Sequence, residues 1–229
     1  MQRGKSAVAA RETPPRGPRA RMRKALIDAA IAISSRGIIP SVTDVAAEAQ
    51  VSRATAYRHF PSQSVLVQAM VIEALGPIWR WVPESDDAEE RVGRLLGFGF
   101  RRMDNYEAPL RAALRLALDQ WARERAGTIG AEPRIVRGNR IRLLRLALAP
   151  LSRRLPKRAF DRLVQGLAIV FGTETMVVLK DMFGLEGPQV AQVAEWVARS
   201  LVRAAIAEET AGASVARARR PRGRAARVV

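Results

Sequence analysis

The chain is expected to be all-α, and three observations predict it. Apolar residues recur at three- and four-residue spacing along most of its 229 residues, and no segment sustains strand alternation. Gly and Pro punctuate the periodic stretches, and no internal repeat appears. Ser41 to Phe60 reads as two short capped helices joined by a tight turn. Together they predict about nine helices: a three-helix helix-turn-helix domain over 21–75 and a larger helical domain over 84–210. A basic arm (1–20) and an Arg-rich tail (211–229), both expected to be disordered, flank them.

The arm is rich in Pro, Gly and Arg, and two readings stay open for it: a minor-groove contact beside a bound helix, or a solvated tail. Met22 to Arg36 is the first helix, with Leu26, Ala29, Ala30 and Ile33 forming a core-facing stripe, and Gly37 ends it. Ile38 and Ile39 are expected to pack beneath the next two helices. Ser41 is placed to cap one of these, with Asp44 a shortened partner for a capping box. Ser52 caps the other, Arg53 to Phe60, and Val51 is its staple. This helix carries Arg53, Thr55, Tyr57, Arg58 and His59 and no acid, the donors that phosphates and major-groove base edges require. A buried hairpin of an all-α core has no use for such a surface.

The run Ser41-Val42-Thr43-Asp44-Val45-Ala46, followed by Val51-Ser52-Arg53-Ala54-Thr55-Ala56-Tyr57-Arg58-His59-Phe60-Pro61-Ser62, resembles the DNA-binding domain of TetR-type transcriptional regulators over about residues 21–70. Carried over position by position, the resemblance implies DNA contacts from Ser41, Thr43, Ser52, Arg53, Ala54, Thr55, Tyr57, Arg58 and His59. Arg53 and Thr55 are the expected base readers, Ala54 meets a thymine methyl, and Thr43 and Tyr57 hold phosphates. His59 either touches DNA or packs against the turn; its neighbours offer no metal ligands. Two positions depart from the family pattern. Gln50 stands where a turn Gly is usual, which forces a left-handed backbone on a side-chain-bearing residue. Gln63 stands where a phosphate-binding Lys is usual.

Pro61 is expected to start a fourth helix reaching Leu75, and Gly76-Pro77 and Pro83 mark a break. Helices follow over about Ala88–Asn105 and Tyr106–Arg125, the second with Leu110, Ala113, Leu114, Ala117, Leu118 and Trp121 periodic. Another is expected over Arg134–Leu151, with Ile141, Leu144 and Leu148 on its apolar face. The last two, about Lys157–Phe183 and Gln189–Glu209, show apolar residues on more than one face and so need more than one partner. The simplest arrangement is a four-helix homodimer interface, as the resemblance also implies, using Leu163, Leu167, Val170, Val177, Val193, Trp196, Val197 and Leu201. Both helices completing one monomer core is the other reading.

The resemblance further implies a cavity for an unknown small-molecule effector. Phe98 and Trp121 are its expected lining, and Arg137, Arg140, Thr173 and Glu174 its orienting groups. Each also has a structural reading, Trp121 as core and Glu174 as an ion-pair partner.

The totals bound the function. Net charge is +17, concentrated at the ends: residues 1–60 hold 11 Lys+Arg against 4 acids, and 212–229 hold 6 Arg and none. With no Cys and one His, metal and nucleophile–base chemistry have few residues to use, so no enzyme activity, cofactor or metal is expected. No membrane span and no signal-like segment are read, and the expected location is the cytoplasm, at the nucleoid. The functional expectation is a ligand-responsive, sequence-specific regulator, a repressor acting as a homodimer on palindromic double-stranded DNA. The alternative is a sequence-nonspecific, nucleoid-like DNA binder.

Overall fold

The computed structural model describes residues 17–218, and every element among them is helical. In chain order these are α1 (Pro18–Ser35), α2 (Val42–Glu48), α3 (Arg53–His59), α4 (Gln63–Trp79), α5 (Ala88–Asp104), α6 (Glu107–Arg125), α7 (Asn139–Ala147), α8 (Lys157–Val170), α9 (Thr173–Phe183) and α10 (Gly187–Ala218), with a 3₁₀ turn at Ala149–Leu151. No single helix among them is long and apolar enough to cross a membrane.

Two compact units result. The first runs to Glu73 and includes Ala112–Ile135; the second comprises Ala74–Arg111 and the chain from Val136 onward. In the first, Leu26, Ile27, Ala30 and Ile33 of α1 are buried, as are Val45 and Ala46 of α2, Ala56 of α3, and Leu66, Val67 and Met70 of α4. The segment 112–135, which the sequence reading assigned to the second domain, belongs to this unit. It is held by a polar group that periodicity does not reveal. Gln120, 3 % exposed, donates to Ser64 Oγ at 2.9 Å and to the Pro133 carbonyl at 3.0 Å, and accepts from the Ile135 N–H at 2.9 Å. Ser64 hydrogen-bonds Glu132, whose other oxygen accepts from Arg123 at 2.7 Å.

In the second unit α10 packs most extensively on α5. Gly93 and Gly97 permit the approach: a Cβ at either would collide with Arg199 or Glu195. Phe100 of α5 meets Phe171 edge-on, ring centroids 5.9 Å apart. A charged cluster joins three elements, with Lys180 of α9 donating to Asp104 (2.7 Å) and Glu107 (2.6 Å), and Arg111 of α6 bridging Glu107 and Asp181.

Several expected boundaries shift for local reasons. α1 begins at Pro18, because proline suits the first helical position, so residues 18–20 are helix rather than arm. Ser62 rather than Pro61 heads α4, its Oγ accepting from the Val65 N–H at 3.3 Å. Gly76-Pro77 do not break α4, since Pro77 falls in the last turn and costs one backbone bond. Gly138 at φ 102° starts α7 late, leaving Arg134 and Arg137 in the preceding loop. The expected helix Lys157–Phe183 is two helices, bent by 48° at Phe171–Gly172. α10 runs on to Ala218, its Ala-rich end being good helix, so 211–218 are not the start of a tail. The expectations for residues 1–16 and 219–229 lie outside the described residues. Ile38 is 52 % exposed rather than packed beneath the helix-turn-helix, and Leu118 (58 %) and Trp121 (60 %) point out of the core because Ala112, Ala113, Leu116 and Gln120 form the buried face of α6. Ile141 is likewise 45 % exposed, Leu143 and Leu144 supplying the buried face of α7.

Candidate nucleic-acid interface

The geometry of α2 and α3 follows from two serines. Ser41 Oγ accepts the Asp44 N–H at 3.1 Å, and Asp44 Oδ2 accepts the Ser41 N–H at 3.1 Å and its hydroxyl at 2.6 Å. Aspartate is therefore long enough to close the reciprocal half of the capping box, and these bonds hold its carboxyl below the usual range. Gln50 turns the chain at φ 53°, the left-handed backbone expected there. Ser52 Oγ then accepts the Thr55 N–H at 3.2 Å and starts α3.

α3 is fastened by Ala56 and Phe60, both buried one turn apart. That anchoring turns Arg53, Ala54, Tyr57 and Arg58 outward together, and Tyr57 is 46 % exposed. Thr55 and His59 are half-buried at the edges. Thr55 Oγ1 sits 2.9 Å from Ser52 Oγ and accepts from Arg58 Nη2 at 3.1 Å, so it aims the Arg58 guanidinium. Ser41 and Thr43 are half-buried at the start of α2. Gln63 turns inward and donates to the Pro40 carbonyl at 3.1 Å, which ties α4 to the entry of α2.

Several cations of the unit are ion-paired. Arg36 is paired with Glu48, Lys24 with Asp28 and Glu73, Arg123 with Glu132, and Arg134 with Glu124. Among the described residues, Arg19, Arg23, Arg53 and Arg58 have no carboxylate partner. Burial pushes the His59 imidazole down, and Arg19, Arg23 and Arg58 push it further in the same direction. Arg19, expected in the arm, and Arg23, expected in the first helix, both lie in the first turns of α1. Arg23 stands 5.2 Å over the Phe60 ring.

The residues expected to hold an effector divide. Arg137, Arg140 and Glu174 meet: Arg140 grips both Glu174 oxygens (3.0 and 2.9 Å), Arg137 bonds the same carboxylate, and Thr173 adjoins it as a half-buried residue. Arg140 Nη1 also donates to the Phe171 carbonyl at 2.9 Å and the Ala168 carbonyl at 3.2 Å, capping the end of α8. An open depression of about 400 Å³ beside them is lined by Arg137, Gly138, Arg140, Ile141, Ala168 and Ile169. Phe98 is half-buried on α5, and Trp121 belongs to the other unit with Arg125 over its ring. Of the residues expected at the dimer face, Leu163 and Leu167 are buried within the second unit, Val170, Val177, Val193, Val197 and Leu201 are half-buried, and Trp196 is 67 % exposed.

A capped helix pair that exposes an acid-free cationic face defines a helix-turn-helix DNA-binding protein. Residues 26–70 match the family model of the bacterial regulatory proteins of the tetR family. That match assigns a TetR-type DNA-binding domain to residues 26–70, and an all-helical remainder follows it. The fold is similar to two structures from Rhodococcus sp. RHA1, a TetR transcriptional regulator (TM-score 0.51, 16% identity, 80% of this chain and 97% of that one) and a TetR-like transcriptional regulator (0.52, 22%, 82% and 99%). It is similar also to a putative TetR-family transcriptional regulator from Mesorhizobium loti MAFF303099 (0.51, 18%, 84% and 98%). No curated protein matches the chain significantly.

Proposed function

We propose that this regulator is a ligand-responsive repressor that binds a roughly palindromic operator as a homodimer in the cytoplasm. The observation that carries the reading is the outward face of α3, where Arg53, Ala54, Tyr57 and Arg58 stand clear of the fold with no acid beside them. Arg53 reads a base edge, Ala54 lies against a thymine methyl, and Tyr57 and Thr43 hold phosphates that set the register. Thr55, which aims Arg58, adds a base contact at the groove edge. Dimerisation is supported by the second unit, where α8, α9 and α10 leave Ile169, Val178, Met182, Phe183 and Trp196 exposed. A monomer has no use for that many large apolar side chains in water. An effector in the second unit would act by favouring a dimer whose recognition helices no longer match the half-site spacing.

Selection of bound sequences from a random duplex pool, with the full chain at moderate salt, tests the proposal. An enriched palindrome is expected. A flat pool, with affinity governed by salt alone, would instead make the protein a general coater of DNA.

A further inference from the structure

His59 is the chain's only histidine, and there is no cysteine, so it is the one side chain whose ordinary pKa puts a charge change near neutrality. It closes α3, half-buried, its ring centroid 6.4 Å from that of Phe60. Arg23 of α1 stands over the same Phe60 ring, and Arg19 lies one turn earlier on α1. The charges whose fields reach His59 are those of Arg19 and Arg23 from α1 and Arg58 from α3. All have one sign. Lys24, immediately beside Arg23, is ion-paired, whereas none of these three is, among the described residues. Gathering three guanidiniums around an imidazole without a carboxylate is costly, and an anion at the same place reverses the cost.

We infer that Arg19, Arg23, Arg58 and His59 form one seat for a DNA backbone phosphate, built jointly by α1 and α3, and that filling it carries a proton from solvent onto His59. The seat rests on the DNA-binding reading and adds to it a second element, α1, and a linkage to pH. In the free protein, burial first and then the three guanidiniums push the imidazole towards its neutral form. A phosphate diester placed among them supplies the missing negative charge and an acceptor for the imidazolium N–H. The proton taken up on binding makes affinity rise as pH falls. One proton per subunit limits the effect to about tenfold in affinity per pH unit per subunit. A histidine that merely favours the C-terminal end of its helix would be charged or neutral irrespective of DNA, and would show no such linkage.

The test measures binding of a mixed-sequence duplex at low salt and at about pH 6 and about pH 7.5, where the histidine is the one side chain whose ordinary pKa falls between the two. Wild type, His59→Gln and the double variant Arg19→Gln/Arg23→Gln are compared. Wild type should tighten about three- to tenfold per subunit at the lower pH. His59→Gln should bind without that dependence. The double variant should bind more weakly on every sequence, with a salt slope reduced by about one to two. Proton NMR of the single histidine ring reads the same event without a variant, and its titration should move to higher pH when the duplex is added. A His59→Gln protein that keeps the wild-type pH dependence, or a ring that titrates alike with and without DNA, overturns the seat. Binding that is present but indifferent to pH overturns the seat alone, and no binding at any pH overturns the DNA-binding reading with it.

Discussion

Gln50 shows how much one residue's backbone can reveal. It bends the chain between α2 and α3 at φ 53°, where a Cβ is strained by about 1–2 kcal/mol. Gln50→Gly should therefore stabilise the fold by up to about 1 kcal/mol, read as a higher midpoint in thermal or urea unfolding. Gln120 works in the opposite sense. Its amide bonds Ser64, Pro133 and Ile135 from inside the first unit, and Gln120→Ala would strip the Pro133 carbonyl and the Ile135 N–H of these bonds and leave Ser64 with Glu132 alone. A loss of about 1–3 kcal/mol is expected in equilibrium unfolding. Nearby, Glu132 is held below its ordinary pKa by the Ser64 hydroxyl first and by Arg123. A depressed carboxylate contributes stability that is whole above its unfolded pKa, near 4.5, and is lost as pH falls through the folded value. Glu132→Gln should flatten that acid limb of the stability profile. Gln50 could be foreseen, because a known pattern put a glycine there. Gln120 could not: a single polar residue on an apolar face looks the same in sequence whether it faces water or a buried serine.

At the scale of elements, α3 was the most legible and the region around α8 the least. The two serine caps, the absence of acids and the apolar positions Ala56 and Phe60 all bear on one short stretch, so local rules suffice. Arg53→Ala should weaken binding by about 1–3 kcal/mol and relax preference at a single base position of a selected operator. Equal losses on operator and random duplex would count against base reading by Arg53. The α8–α9 break has a non-local cause. Arg140, 28 residues before the Ala168 carbonyl it caps, occupies the place a side chain at Gly172 would need and pins Glu174 in the first turn of α9. Hydropathy alone joins the two helices, because Phe171 continues the apolar stripe. Arg140→Ala should free two helix-end carbonyls and leave the Glu174 carboxylate to Arg137 alone, costing about 1–3 kcal/mol by denaturant titration.

For the whole molecule, fold class was readable because helix periodicity is continuous and nothing competes with it. The division into units was less so. Segment 112–135 reaches the first unit through hydrogen bonds spanning up to 68 residues, as between Ser64 and Glu132, a separation that periodicity does not encode. The apolar face of α8–α10 was anticipated as a partner surface, yet Leu163 and Leu167 proved to be core while Met182 and Phe183 proved exposed. A stripe tells that a residue is apolar, not which of two neighbours covers it. If the exposed set is the dimer face, Trp196→Glu should shift the protein from dimer to monomer in sedimentation and weaken binding to a palindrome far more than to a half-site.

The way α3 is held has a consequence for how such a protein changes over generations. Its grip on the fold is Ala56 and Phe60, while Arg53, Ala54 and Tyr57 project outward from it. Substitutions at the outward positions leave folding nearly untouched, so the preferred DNA word can be rewritten without first acquiring a more stable scaffold. A duplicated copy of this chain could thus come to govern a new promoter by two or three changes on one helix, its body passing unaltered to the descendant.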